Sequence, residues 1–317
     1  MKCLVCYTET EHGADYHVKC SMNLFGSKVP PLVHFCSDDI HRLAVNIVLS
    51  QSTISGVQKK LSAHIQKIAS EGSRMTLVGL WGDYILKPSS EEFPLLPVVE
   101  DCTMNVTETF GIEVMKHGLI KLASGELAYI TKRHDREKSL PVYHMEDGCQ
   151  LTETLTEYKY RSSMEKLGKC IRTVATNSQL DLIKYYEMVV VSFLTGNADM
   201  HLKNFSVSYR DRNKVALTPA YDMVSTRLLI PEQSDNEELA LSLNGKKRKL
   251  TLHDFIAAGM TCGLSEKQVT NTIKRLMKKL PLAVSVIEKS YLPPKMKTDF
   301  IGILTERSQR LQLSTKN

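Results

Sequence analysis

The sequence predicts an α+β fold of two lobes, a small β-rich one followed by a larger helical one, and three observations predict it. Between residues 51 and 135 the short segments KKLSAHI, RMTLVGL, DYILKP and LAYITKR are rich in β-formers, and Gly-containing turns separate several of them. From Leu180 to Thr195 apolar residues recur at 182, 183, 186, 190, 193 and 194, a helical period. Beyond about Thr251 the pattern stays helical. A chain of 317 residues is long enough for two such lobes, and 42% hydrophobic and 24% charged residues is ordinary globular composition.

Taken in order, residues 1–36 form a Cys/His-bearing segment, 37–135 the β-rich lobe and 136–317 the helical lobe. Ser37 to Ser50 reads as a helix with Ser37 as N-cap and Asp38 and Asp39 in its first turn. A second helix is expected over Val99 to Thr109. The helix from Leu180 has apolar residues between its periodic ones, so it should be buried nearly all round, with Gly196 ending it. FSVSY and VALTPAYD then pair as a hairpin across RDRNK.

No apolar run reaches the length of a membrane span, and the N-terminus has no signal-peptide core, which points to the cytoplasm. Eight cysteines are too sparse for a disulfide scaffold and fit a reducing compartment. The net charge of +6 gathers in NGKKRKL, KRLMKK and KMK, which read first as solvated faces and second as a surface for acidic protein or nucleic acid.

The polar residues crowd into GNADMHLKNFSVSY, where Asp199, His201 and Asn204 are spaced D-x-H-x-x-N between the buried helix and the hairpin. A capped turn would account for an Asp and an Asn there. The interval from Asp199 to Asn204 is also that of the protein-kinase catalytic loop, in which the Asp accepts the hydroxyl proton and the Asn binds magnesium. Asp222, in TPAYDMVS at the end of the second hairpin strand, is placed as a second hard oxygen ligand. Lys87 lies on a strand facing away from Tyr84 and Leu86, and Glu100 can pair with it, with Glu91 and Glu92 as competitors. STISGVQKK, with one Gly, is a weak phosphate-loop signal by itself.

STISGVQKKLS, YILKP, ITKRHDR, GNADMHLKNFS and TPAYDM occur in the order found in the HipA serine/threonine kinases, toxins of bacterial toxin–antitoxin systems, which this chain resembles over about residues 50–310. The D-x-H-x-x-N order also resembles phosphoinositide-kinase-like enzymes. The resemblance implies a two-lobed protein-kinase-like fold and transfer of phosphate from ATP, with Mg²⁺, to a protein Ser or Thr. By it Asp199 is the catalytic aspartate, His201 and Lys203 support the loop and the phosphoryl group, and Asn204 and Asp222 bind magnesium. Lys87, paired with Glu100, grips the ATP phosphates. The backbone of Thr131, Lys132 and Arg133 meets adenine, and Thr53, Ile54, Ser55, Gly56, Val57 and Gln58 form the loop above the phosphates. Thr53 and Ser55 fall where related kinases autophosphorylate, and a phosphate there would weaken nucleotide binding.

Set against longer HipA proteins, the chain is expected to be without their extra N-terminal subdomain, and in that respect it resembles the short HipT kinases, whose missing part is a separate small HipS-like subunit. His134 stands where many members carry an aromatic residue. The family's targets suggest an aminoacyl-tRNA synthetase as substrate and a HipB-like DNA-binding antitoxin as partner, with nucleic acid contacted only through it. The alternative is a catalytically weak binding module within an antitoxin–DNA repressor complex, and a small-molecule kinase is a third reading.

MKCLVCYTETEHGADYHVKC sets Cys3-x2-Cys6 and His17-x2-Cys20 with ten residues between the pairs, the spacing of a closed, structural zinc site. His12 is an alternative fourth ligand, and reduced cysteines packed on the lobe are the competing reading. About 20 residues have little prospect of a core of their own, which favours a metal staple. Cys36, Cys102, Cys149, Cys170 and Cys262 show no pairing and read as small hydrophobes.

Overall fold

The structure is a computed structural model that describes residues 1–40, 42–43, 61–68, 72–78, 82–136, 143–211 and 214–312. It divides into two compact units, one of Met1–Cys102, Met115–Pro141 and Lys289–Tyr291, the other of Thr103–Val114, Val142–Glu288 and Leu292–Asn317. The fold is α+β, as the sequence predicts.

The first unit is built on a five-stranded antiparallel sheet of order β2-β1-β3-β5-β4. Its strands are β1 (Leu61–Ile68), β2 (Gly72–Val78), β3 (Tyr84–Lys87), β4 (His117–Lys121) and β5 (Leu127–Lys132). Period-two alternation sends Leu61 and Ala63 of β1 and Tyr84 and Leu86 of β3 into one core with Met75, Ile120, Ala128 and Ile130. Helix α1 (Val18–Phe25) adds Leu24 and Phe25 to that core, and the αL residue Gly26 closes it. Residues 37–40 and 42–43 are helical, and the rest of the helix expected to Ser50 lies outside the described residues. Its cap is Cys36 rather than Ser37. Asp39 reaches back to accept from the Cys36 N–H at 2.9 Å, satisfying an end donor that Ser37 does not. Helix α2 (Leu96–Thr109) starts three residues before the expected Val99, because Pro97 fits a first turn whose N–H needs no partner. Glu100 therefore sits in its second turn.

The second unit holds a three-stranded sheet, β6 (His144–Asp147), β7 (Ser206–Asp211) and β8 (Lys214–Leu217), in the order β6-β7-β8. Its helices are α3 (Met164–Val174), α4 (Ser178–Leu194), α5 (Leu252–Cys262), α6 (Glu266–Met277), α7 (Leu280–Lys289) and α8 (Pro294–Arg310). Every residue of α4 from Tyr185 to Leu194 is buried, and the helix packs against α3, α6 and α8. Buried Arg307 of α8 donates to the Phe193 carbonyl at 2.5 Å, satisfying an acceptor in the last turn of α4. Burial lowers its pKa to about 10, so the guanidinium stays charged at neutral pH. The second hairpin strand ends at Leu217, earlier than expected. Pro219 cannot donate to a ladder, and the Ala220 N–H turns away to the Glu113 carbonyl.

Gly196 ends α4 with φ +72°, and a Cβ on it would lie 3.0 Å from Arg227 Cβ and 3.2 Å from Ile303 Cγ2. Both neighbours and the left-handed backbone oppose any side chain. Gly196→Ala is expected to destabilise the fold by about 1–2 kcal/mol, read as a lower urea midpoint at unchanged slope.

Among the described residues no helix is long and apolar enough to cross a membrane.

Candidate functional site

In the second unit the chain leaves α4 and must turn without solvent to satisfy it. Asn197, fully buried, does part of that work by accepting the Asp199 N–H on its side-chain oxygen at 3.1 Å. Thr226 accepts the Ala198 N–H at 2.9 Å, and the Arg227 N–H donates to the Gly196 carbonyl at 3.1 Å. The loop after α4 and the segment after Asp222 are thereby tied to each other.

The Asp199 carbonyl is the hub of the motif. It accepts from the His201 N–H at 2.8 Å and from Asn204 Nδ2 at 2.9 Å. With its donor end spent on that carbonyl, the Asn204 amide offers its oxygen. The Asp199 carboxylate accepts from the Tyr160 hydroxyl at 2.6 Å. Burial, with the bond to Asp199, pushes the Tyr160 phenol well above its usual range, so it remains a donor. His201 is 6% exposed and meets Tyr160 edge-on, with ring centroids 4.9 Å apart. Burial pulls its imidazole below the ordinary value against the opposing charge of Asp199, and its Nδ1 has no hydrogen-bond partner among the described residues. The ring is neutral at pH 7.

Lys203 donates to Asp147 Oδ2 at 2.5 Å, and Asp147 also caps the one-turn helix Gly148–Leu151 in a capping box with Gln150. Tyr221 ties the start of β7 to the loop before it, since Ser206 Oγ lies 2.5 Å from its hydroxyl and that hydroxyl donates to the Lys203 carbonyl at 3.1 Å. Asp222 follows with φ +54°, a left-handed conformation that costs a non-glycine residue of order 1–3 kcal/mol and is commonest where function requires it. Its carboxylate acts on the His201 ring, raising that group's pKa against the effect of burial.

The first unit carries the lysine. Lys87 ends β3, 5% exposed, and its Nζ donates to Glu100 Oε1 of α2 at 2.6 Å, with Glu100 fully buried. The ammonium also lies 5.5 Å from the centroid of the Tyr129 ring, the residue registered opposite it on β5. Glu91 and Glu92 are exposed, so burial distinguishes the three acids that the sequence offered. Thr131 and Lys132 lie inside β5, between β3 and β4. The Lys132 N–H goes to the Lys116 carbonyl and the Arg133 N–H to the Asp83 carbonyl, each at 2.8 Å, so these two donors are spent within the sheet. The segment Thr53 to Gln58 lies outside the described residues.

Sequence reasoning missed Tyr160, Asn197, Asp147 and Tyr221. Asp147 was findable as a helix cap, because D-x-x-Q over Asp147 to Gln150 is a capping-box pattern. Tyr160 carries no local signal.

If the loop transfers phosphate from ATP, Tyr160→Phe is expected to lower kcat by about tenfold with KM for ATP unchanged, the loss of one hydrogen bond to a charged group.

Comparison with known proteins shows what the chain is similar to. A protein of Sinorhizobium fredii, provisionally named kinase Y4dM, is 31% identical over 252 residues, covering 76% of this chain and 61% of its own length. One from Haemophilus influenzae, also provisionally named a kinase, is 27% identical over 266 residues, covering 76% of each chain. The chain thus spans about three-fifths of the first relative. Among solved structures, HipA of Shewanella oneidensis, in a complex with HipB and operator DNA, superposes with a TM-score of 0.69 at 17% identity, covering 95% of this chain and 79% of that one. The proinflammatory kinase CtkA of Helicobacter pylori gives a TM-score of 0.55 at 15% identity, over 78% of this chain and 93% of that one. At those identities the likeness is one of fold. The family model for the HipA-like C-terminal domain matches residues 52–284, and the chain belongs to that family.

Proposed function

We propose that this protein is an ATP- and Mg²⁺-dependent kinase that phosphorylates a serine or threonine hydroxyl of another protein. The observation that carries the reading is the loop Asp199–Asn204, in which one backbone carbonyl aligns the Asn204 amide while Tyr160 orients the Asp199 carboxylate. Phosphoryl transfer asks little of a protein beyond such positioning and charge placement. The Asn204 amide oxygen and the Asp222 carboxylate are the hard oxygen donors that Mg²⁺ takes, so the residues present fit that ion. When bound, it neutralises charge on the phosphate oxygens.

In the proposed step the acceptor hydroxyl passes its proton to Asp199 as its oxygen bonds to the γ-phosphorus. The bond from that phosphorus to the β-bridging oxygen breaks, and ADP leaves. Neutral His201 adds no cation beside Asp199, which leaves the carboxylate as the charged group next to the acceptor. Lys87 is the group for the ATP phosphates, held by Glu100 and the Tyr129 ring. Lys203, engaged by Asp147, supports the loop from its other end.

The sequence resemblance suggests an aminoacyl-tRNA synthetase as the acceptor and autophosphorylation at Thr53 or Ser55. The Shewanella HipA complex, which holds HipB and operator DNA, supports a HipB-like antitoxin as partner, and the sequence resemblance suggests that DNA is contacted only through it. A separate HipS-like subunit belongs to the same reading.

The test is the intact mass of phosphatase-treated protein after incubation with Mg·ATP, beside Asp199→Ala and Asp222→Ala. Phosphate gained by the wild type alone, mapped to Thr53 or Ser55, supports the proposal. A wild-type chain that stays unmodified and binds no ATP overturns it in favour of a binding module.

A further inference from the structure

We propose that Cys3, Cys6, His17 and Cys20 hold one zinc ion, in a structural site that locks the N-terminal segment and sets Tyr7 against Asp101. The site's existence is independent of the kinase reading. Only the consequence drawn for Lys87 rests on it.

The four ligand atoms lie within 4.8 Å of one another. Tetrahedral zinc, with Zn–S of about 2.3 Å and Zn–N of about 2.0–2.1 Å, requires sulfur-to-nitrogen edges near 3.6 Å. His17 Nδ1 is 3.4 Å from Cys6 Sγ and 3.9 Å from Cys20 Sγ, on either side of that value. All three cysteines are free thiols, so no disulfide competes for them.

The imidazole is already oriented as a ligand. Its Nε2 lies 2.8 Å from the Glu9 carbonyl, an acceptor only, so the ring proton belongs on Nε2 and the Nδ1 lone pair faces the sulfurs. A carbonyl of this kind is the usual outer partner of a zinc-bound histidine.

The backbone makes the same demand. Tyr7, directly after Cys6, sits at φ +62°, unusual for an aromatic residue. That turn lets the Tyr7 N–H donate to the Cys3 carbonyl at 3.1 Å and the Cys3 N–H to the Thr8 carbonyl at 2.9 Å. It folds Cys3 and Cys6 to one side. His17 caps α1 and Cys20 lies in its first turn, so a single ion would join the turn to the helix.

The same turn directs the Tyr7 hydroxyl to Asp101 Oδ2 at 2.5 Å, and Asp101 is fully buried on α2 beside Glu100. His117 Nδ1 lies 2.8 Å from the other oxygen, and its ring stacks on Tyr129, the ring beneath Lys87. The segment is seated on β4 through the Leu119 N–H to the Leu4 carbonyl at 2.9 Å. Only glycine fits at Gly118, where a Cβ would meet Val5 Cγ2 at 2.9 Å. Zinc would thus brace, through Tyr7 and Asp101, the turn of α2 that presents Glu100 to Lys87. All ligand positions are protein-filled, so the ion is structural.

The experiment measures zinc in the full-length chain by mass spectrometry and then titrates Co²⁺ into zinc-stripped protein. Expected are about one equivalent of zinc in the wild type and in Cys36→Ser, and below about a tenth of that in Cys6→Ser. Co²⁺ should give the visible bands of a tetrahedral site with a thiolate-to-metal charge-transfer band. That titration uses wild-type protein, so it holds even where Cys6→Ser fails to fold. A wild type that binds neither metal overturns the site, as does Cys6→Ser retaining a full equivalent. Kinase activity enters neither readout, so a failed kinase reading leaves this test intact.

Discussion

Asp199→Asn is expected to lower phosphoryl transfer to a protein hydroxyl by about a thousandfold, with the melting temperature and KM for ATP unchanged. The size follows from removing a positioned proton acceptor, worth of order 10²–10⁴ in rate. The selectivity follows from where the loop's hydrogen bonds lie. Asn204 and the His201 N–H both bind the Asp199 main-chain carbonyl, and the Asp199 N–H is held by Asn197. None of these involves the carboxylate. An asparagine keeps an oxygen for the Tyr160 hydroxyl, which is the carboxylate's bond at 2.6 Å, so the loop loses no partner. What an amide cannot do is take a proton. Steady-state rates on a protein substrate with a thermal melt of each variant measure both halves. Transfer reduced less than about tenfold would move the base to His201, whose burial already keeps it neutral and able to accept.

How much of this was legible depended on how local each feature is. Strand alternation in YILK and the helical period before Gly196 are short-range signals, and both elements formed where they were read. D-x-H-x-x-N is also local, so the residues that share the Asp199 carbonyl could be picked out from spacing. Tyr160 reaches Asp199 across 39 residues of chain, and Lys203 reaches Asp147 across 56, distances at which a sequence carries no pairing signal. The lysine offered a different difficulty. Three glutamates were candidates, and only the packing of α2, which buries Glu100 and leaves Glu91 and Glu92 in solvent, separates them. The backbone of 131–133 was read as the segment that meets adenine, and the structure shows two of its donors, the Lys132 and Arg133 N–H groups, bonded to the Lys116 and Asp83 carbonyls. Asp222 was expected to end a strand and instead stands beyond it in a left-handed turn, because Pro219 intervenes. At the N-terminus the spacing suggested the ligands, while the reach of Tyr7 to Asp101 across 94 residues was visible only in three dimensions.

Lys87→Met should do two separable things, destabilise the fold and abolish productive ATP use, and a second substitution separates them. Glu100 is fully buried and its ion pair with Lys87 is 2.6 Å long. Removing the cation alone leaves a buried carboxylate without it, a change that costs about 3–5 kcal/mol in comparable pairs. Lys87→Met/Glu100→Leu removes both charges together. Methionine keeps the length of the lysine stem and a favourable contact with the Tyr129 ring beneath it. A buried pair exchanged for apolar residues of similar volume is often neutral in stability. The double variant should therefore recover most of the lost urea resistance. It should not recover phosphoryl transfer, which is expected to stay at least about a hundredfold below wild type because no ammonium remains for the phosphates. Stability restored together with activity would make the pair a structural element only and remove Lys87 from the chemistry. Stability left at the level of Lys87→Met would mean that losing the Glu100 carboxylate itself costs the fold, whatever the cation contributes. Equilibrium unfolding and single-turnover transfer on the two variants and the wild type distinguish these cases. They do so because burial fixes the stability term and charge fixes the catalytic one.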